Sequence, residues 1–454
     1  MRIKKAFAAL AVATLAGGIL AGCGSGGGDD AEGEVLQSGV DQGAGEDATH
    51  LDLMTFVALH GTFYEEMAAE WNAANPDRQV KIQTRVLPFD AMHQRALMAL
   101  QTGQEVPDII DIEVGQFSNF VRGDVPLRDL TDVAAPFRDD VVEARMDLYS
   151  RDGQLFGLPT HVGAMLAFYN VPLLEEAGID YSTLQTWDDF REAGVRYHEE
   201  TGRFLTTADT SAFWQTMLVT AQKGGEFTDA AGNVTLNSPE VVSALEFLQG
   251  LKRDNVAGPI PGGQPDTEEA FGSINNGDFA AFIMPSWFTS RFLAYMGDMD
   301  GQWAIAAPPS FADGNVVTVG GGGTGTAVPS ASENADLAAE FLAFAKLSES
   351  GNERVWQALG FDPVNTSMWT TEAVTHDPEN QFNQFFVNNM FDALNEIGAG
   401  NVGLMQSQKT DAWPVVGNLL TTETLNNILE SDMDVTEALD QAQNDIQNQI
   451  RSPQ

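Results

Sequence analysis

Asp152-Gly153-Gln154-Leu155-Phe156-Gly157-Leu158-Pro159-Thr160-His161, leading on to Phe168-Tyr169-Asn170, is the stretch from which the rest of the chain is read. Asp152-Gly153 signals a tight turn, and Gly157 and Pro159 stop any helix. Residues 164–169 are a short apolar run closing on two aromatics, the pattern of a buried strand. Alone, this is a hairpin passing into a core strand. Its flanks decide what it joins.

Upstream, residues 51–57 alternate and then turn apolar, as a strand does. Residues 63–73 place Phe63, Met67, Ala68 and Trp71 at helical spacing, up to a stop at Asn75-Pro76. Strand 80–86, helix 91–100 and strand 109–114 follow, with Gly103 ending the helix. Strand, helix, strand, helix, strand predicts a parallel sheet covered by helices, an α/β fold whose ligands sit beyond the carboxyl ends of the strands. That rule points to His60 in a loop after the first strand, and to Glu113 and Gln116 after the third.

Downstream, residues 171–177 read as a short helix closed by Gly178. Thr186 caps the next helix, and Ser238 another with Pro239 at its first position. Residues 211–222 and 270–275 are also helical, and 279–284 a buried strand ending at Pro285-Ser286-Trp287. After strand 303–306, Pro308-Pro309 makes an extended crossover. Strands 316–319 and 326–328 flank Gly320-Gly321-Gly322-Gly323, and helices 334–347 and 436–450 complete the pattern.

The amino terminus stands apart. Arg2, Lys4 and Lys5 precede an apolar run too short to span a bilayer, as in a secretory signal over residues 1–22. Leu20-Ala21-Gly22-Cys23 then reads as a lipobox in which Cys23 is lipidated; the plain alternative is an incidental cysteine. It is the only cysteine, so no internal disulfide is expected. Residues 23–50, rich in Gly, Asp and Glu, read as a flexible tether.

The chain carries 65 acids against 23 bases, a net charge of −42. Such a surface repels nucleic acid and anionic lipid and disfavours a phosphorylated substrate. The acids are dispersed, and only seven lysines occur, which suggests a host living in high salt.

The order of these pieces resembles the extracellular solute-binding lipoproteins of carbohydrate ABC transporters, the maltose-binding-protein-like family. The likeness rests on Asn75-Pro76, Pro107-Asp108-Ile109-Ile110, the opening stretch with Tyr169-Asn170, and Thr186-Trp187-Asp188-Asp189-Phe190. It continues through Asn276-Gly277-Asp278-Phe279-Ala280-Ala281, Ser286-Trp287, Gly360-Phe361-Asp362-Pro363 and the closing segment 436–443. The resemblance implies a two-lobed type II periplasmic-binding-protein fold that closes on its ligand by hinge bending. Lobe 1 would take residues 51–162 and 308–348, and lobe 2 residues 163–307 and 349–454. The opening stretch would be the first crossover.

It also implies a non-enzymatic receptor, monomeric and without cofactor or metal, held by its lipid to the outer face of the cell membrane. Its partners would be a neutral mono- or oligosaccharide and the membrane-embedded permease subunits of an ABC importer. A neutral sugar needs planar hydrogen-bonding groups for its hydroxyls and aromatic rings for its C–H face. Trp287 and Trp413 match the family's cleft tryptophans. Trp214 stands where a lobe 2 aromatic often lines the cleft, though it could equally be core. Glu113 is a sugar contact or a solvated loop acid, and His60 takes the place of a polar loop residue. Thr160 and His161 lie at the crossover, as ligand contacts or hinge structure. Gly321 and Gly322 would let bare backbone N–H groups approach the sugar, or else form a loop tip; without a following Lys and helix the glycines are no phosphate loop.

Two other classes stay open. The same fold could bind a polyamine or another non-sugar solute, using acids around an aromatic box. An exported glycoside-active enzyme would need two carboxylates across a scissile bond, and no nucleophile elbow or zinc motif is present.

Overall fold

The computed structural model describes residues 33–311 and 318–451. The expected signal at 1–22, Cys23, the start of the tether and the first residues of strand 316–319 lie outside the described residues.

Six strands form the larger sheet, in the spatial order Glu34–Val35, Val80–Val86, Thr49–Thr55, Ile109–Glu113, Thr324–Ala327 and Leu158–Pro159. The three strands predicted upstream are its parallel centre. Thr324–Ala327 runs antiparallel to Ile109–Glu113, and Leu158–Pro159 runs antiparallel to Thr324–Ala327 in turn. Helices Ala58–Ala74 and Ala335–Leu347 pack against each other. Phe63, Met67 and Ala68 are fully buried, and Trp71 meets Phe341 and Phe344 edge-on. Burial of Phe63 and of Met67 contributes about 1.5–3 kcal/mol each.

The smaller sheet has three antiparallel strands, with Met165–Asn170 between Ala281–Pro285 and Trp303–Ala306. All six residues of the central strand are buried, because it is covered on both faces. Helix Trp187–Thr201 begins with a reciprocal box between Thr186 and Asp189 and ends on Gly202 in the left-handed region. Helix Pro239–Arg253 starts on the Ser238 cap.

The opening stretch joins the two sheets. Ser150–Arg151 and Gln154–Leu155 pair across the turn, with Asp152 and Gly153 both at positive φ, as a two-residue hairpin loop requires. The chain leaves the larger sheet at Pro159 and enters the smaller at Met165.

Two expectations are corrected. The tether was expected to extend to residue 50, but its later part is docked. Glu34–Val35 pairs with the edge strand Val80–Val86, and the Gln42 side chain bonds both backbone groups of Ile82. An open sheet edge offers unpaired N–H and C=O groups, and this segment covers one. The first helix begins at Ala58 rather than 63, so His60 lies in its first turn and not in a loop. Val57 starts that helix without a side-chain cap, which is why its beginning gave no signal.

Candidate ligand cleft

A cleft of about 660 Å³ opens where the two sheets meet. Strand ends build it: Thr49–Thr55 delivers Phe56 and His60, Ile109–Glu113 delivers Glu113, Gly115 and Gln116, and Ala281–Pro285 delivers Trp287. This is where ligands sit in open α/β sheets. Phe89, Phe213, Trp214, Phe361 and Trp413 complete an aromatic lining, with Asp266, Arg291 and Asn418 as further polar groups.

Of the residues singled out in sequence, His60, Glu113, His161, Trp214, Trp287, Gly322 and Trp413 line the cleft. Thr160 and Gly321 do not. Thr160 is buried, its hydroxyl 2.5 Å from Thr324 Oγ1 and bonded by Lys346 Nζ. Gly321 donates its N–H to Gly163 O, and its carbonyl accepts from Trp287 Nε1 at 3.1 Å. Its N–H is thus already occupied; it positions the tryptophan instead.

Trp214 and Trp287 meet edge to face at 5.7 Å, each half-buried. Trp413 is 1% exposed, wedged between Phe213 and Phe227, and leaves little ring surface for a ligand. The glycine run threads a narrow gap. A Cβ on Gly322 would stand 3.1 Å from Trp287 Nε1, and one on Gly323, at φ +104°, would collide with the Arg145 guanidinium. That φ and that crowding both demand glycine.

Arg145 is fully buried. Its Nε donates to His161 O and its Nη2 to Gly322 O at 2.6 Å, holding the crossover against the glycine run. His161 is 3% exposed, and neither ring nitrogen has a hydrogen-bond partner among the described residues. Burial, then the Arg145 charge, holds its imidazole well below the usual range, so it faces the cleft neutral. Glu113 accepts from Gly115 N–H at 2.6 Å, and burial pushes its carboxyl up to about 7 against that bond and Arg145. His60 Nδ1 sits 2.7 Å from Asp111 Oδ2.

Sequence reasoning missed Arg291, Asp266 and Arg145. Arg291 follows Trp287 by four residues, one helical turn on, and its guanidinium lies 5.6 Å from the Trp287 ring. That i, i+4 spacing was a usable signal. Asp266, in a Pro- and Gly-rich loop, accepts from Arg291 Nε at 2.7 Å. Nothing in the short helix Glu143–Leu148 marks Arg145 as a buried cation. Among the described residues, no group of His, Cys, Asp and Glu could hold a metal ion.

The family described as bacterial extracellular solute-binding protein matches residues 58–352. The chain is 39% identical over 404 residues to an arabinooligosaccharide-binding protein of Halalkalibacterium halodurans, covering 88% of this chain and 90% of that one. It is 40% identical over 341 residues to an arabinooligosaccharide-binding protein of Bacillus subtilis, covering 75% and 78%. Among solved structures, the cyclic alpha-maltosyl-1,6-maltose binding protein of Arthrobacter globiformis superposes with a TM-score of 0.72 at 20% identity, covering 88% of this chain and 98% of that one.

Proposed function

This chain belongs to the bacterial extracellular solute-binding proteins, with their two-lobed type II fold, and from that premise we propose that its cleft captures an arabinose-containing oligosaccharide for an ABC importer. The observation that carries the reading is the cleft lining: aromatic faces of Trp214, Trp287 and Phe213 set among Glu113, His60, His161 and Asp266. The volume, about 660 Å³, is that of an ordinary small-molecule site. The named relatives point to arabinose as the unit.

We assign the two lobes to the two sheets, with the crossover at residues 159–165 as one hinge strand. The protein acts as an exported monomer without cofactor, anchored through Cys23, and passes its cargo to membrane permease subunits. Capture without cleavage fits the pairing of the cleft acids: Glu113 is tied to Gly115 N–H and Asp266 to Arg291, arrangements that serve static hydrogen bonds.

Titration calorimetry with arabinotriose, maltotriose and spermidine tests this, followed by chromatography of the recovered ligand. Binding of intact arabinotriose is the expected result. Heat with spermidine alone would make the acids the recognition groups, and recovery of arabinose would make the protein an enzyme.

A further inference from the structure

We propose that Asp111, buried behind the cleft wall, is a positioning residue that holds the His60 ring so that its Nε2 is the fixed contact for one hydroxyl of the captured sugar. The proposal rests on the sugar-binding reading of the cleft.

Asp111 is fully buried in strand Ile109–Glu113 and does not line the cleft. Its Oδ2 lies 2.7 Å from His60 Nδ1 and accepts from Thr55 Oγ1 at 3.2 Å; its Oδ1 accepts from Thr326 Oγ1 at 2.8 Å. Lys346, also fully buried, donates from Nζ to Tyr64 OH at 3.0 Å, and that hydroxyl sits 2.7 Å from Thr326 Oγ1. Burial alone would push the Asp111 carboxyl up, but His60 and Lys346 hold it well below the usual range. It is a carboxylate, and a carboxylate only accepts.

His60 Nδ1 must therefore carry the proton. The ring cannot swing away, because Phe56 and Phe361 stand edge-on to it at 5.8 and 6.0 Å. Nε2 is left as the ring atom available to the cleft that His60 lines. With Nδ1 engaged by the carboxylate, Nε2 is presented to the cleft in one fixed orientation for a sugar hydroxyl, which can both donate and accept. The same logic fixes the tautomer of metal-binding histidines through an outer carboxylate.

Two measurements test it. In long-range proton–nitrogen spectra of the ¹⁵N-labelled protein, His60 should carry a proton on Nδ1, and its Nε2 resonance should move on saturation with arabinotriose. In a double-mutant cycle, Asp111→Asn and His60→Ala should each weaken arabinotriose binding about tenfold, the loss of one such hydrogen bond. The double variant should be no weaker than His60→Ala. An Nδ1 without its proton, an unmoved Nε2 signal while the sugar binds, or additive losses would overturn the proposal. If Asp111→Asn does not fold, the wild-type spectrum decides. If the wild type does not bind arabinotriose, the sugar reading fails, while the Nδ1 proton still reports whether Asp111 governs His60.

Discussion

Trp287 shows how one side chain is readied before any ligand arrives. Its indole N–H is spent on Gly321 O, Trp214 abuts its edge, and Arg291 lies against its ring. The rotamer is thus fixed without a ligand, so little ordering entropy remains to oppose binding. Replacing Trp287 with Ala should cost about 2 kcal/mol or more, roughly thirtyfold in Kd for arabinotriose by calorimetry. An unchanged Kd would move the sugar elsewhere. Asp209 is a residue of the opposite kind, 3% exposed, its Oδ1 accepting from Thr207 Oγ1 and its Oδ2 without a partner among the described residues. Burial pushes its carboxyl up to about 7. Because the folded-state value is raised, the stability it allows is fully present below the unfolded value and lost as pH rises through about 7. Asp209→Asn should therefore leave the unfolding free energy unchanged near pH 4 and raise it by on the order of 2–4 kcal/mol near pH 8. Denaturant titrations at the two pH values check this, and an equal effect at both would refute it.

At the scale of elements, the crossover is held by a side chain far away in sequence. Asp362 accepts from the N–H groups of Gly163 and Ala164, both at 2.8 Å, and from Ser286 Oγ at 2.5 Å. One carboxylate thereby knits the strand between the sheets to the turn that presents Trp287. An Asn there would set its own donor against backbone donors and leave one buried N–H unpaired. Asp362→Asn should destabilise the fold by about 2–4 kcal/mol. Chemical denaturation reads this directly, and an unmoved midpoint would mean the crossover is held by its strand pairing alone.

For the whole molecule, charge outweighs any single ion pair. Pairs such as Arg78–Glu340 and Arg138–Glu143 are exposed and contribute under about 1 kcal/mol each. Against them stands the self-repulsion of a net charge of −42. Raising salt from about 0.1 to about 2 M shortens the Debye length to a few ångströms, so the melting temperature should climb. A fall would reject the high-salt habitat. The half-exposed contacts of Arg122 and Arg151 with Asp411, and of Lys409 with Asp147, cross from the larger sheet's side to the segment before Trp413. They will weaken under the same screening, without reversing the trend.

What the sequence determined by itself was local. The strands read at 80–86 and 109–114 (the latter one residue too long), the Asp152-Gly153 hairpin and the Thr186 and Ser238 caps were all legible, because period, turn chemistry and capping act over a few residues. Glu113 was legible as a candidate because it ends a strand, whereas Trp287 became one only through its match to the family's cleft tryptophan, an isolated Trp being core or surface more often than not. Tertiary structure alone decided the rest. The docking of residues 34–42 depends on an unpaired edge at Val80–Val86, and a Gly- and acid-rich segment carries no mark of it. Arg145, Asp111, Lys346 and Asp362 read as surface charges until packing buries them, since a charge tolerates burial only where partners distant in sequence converge on it.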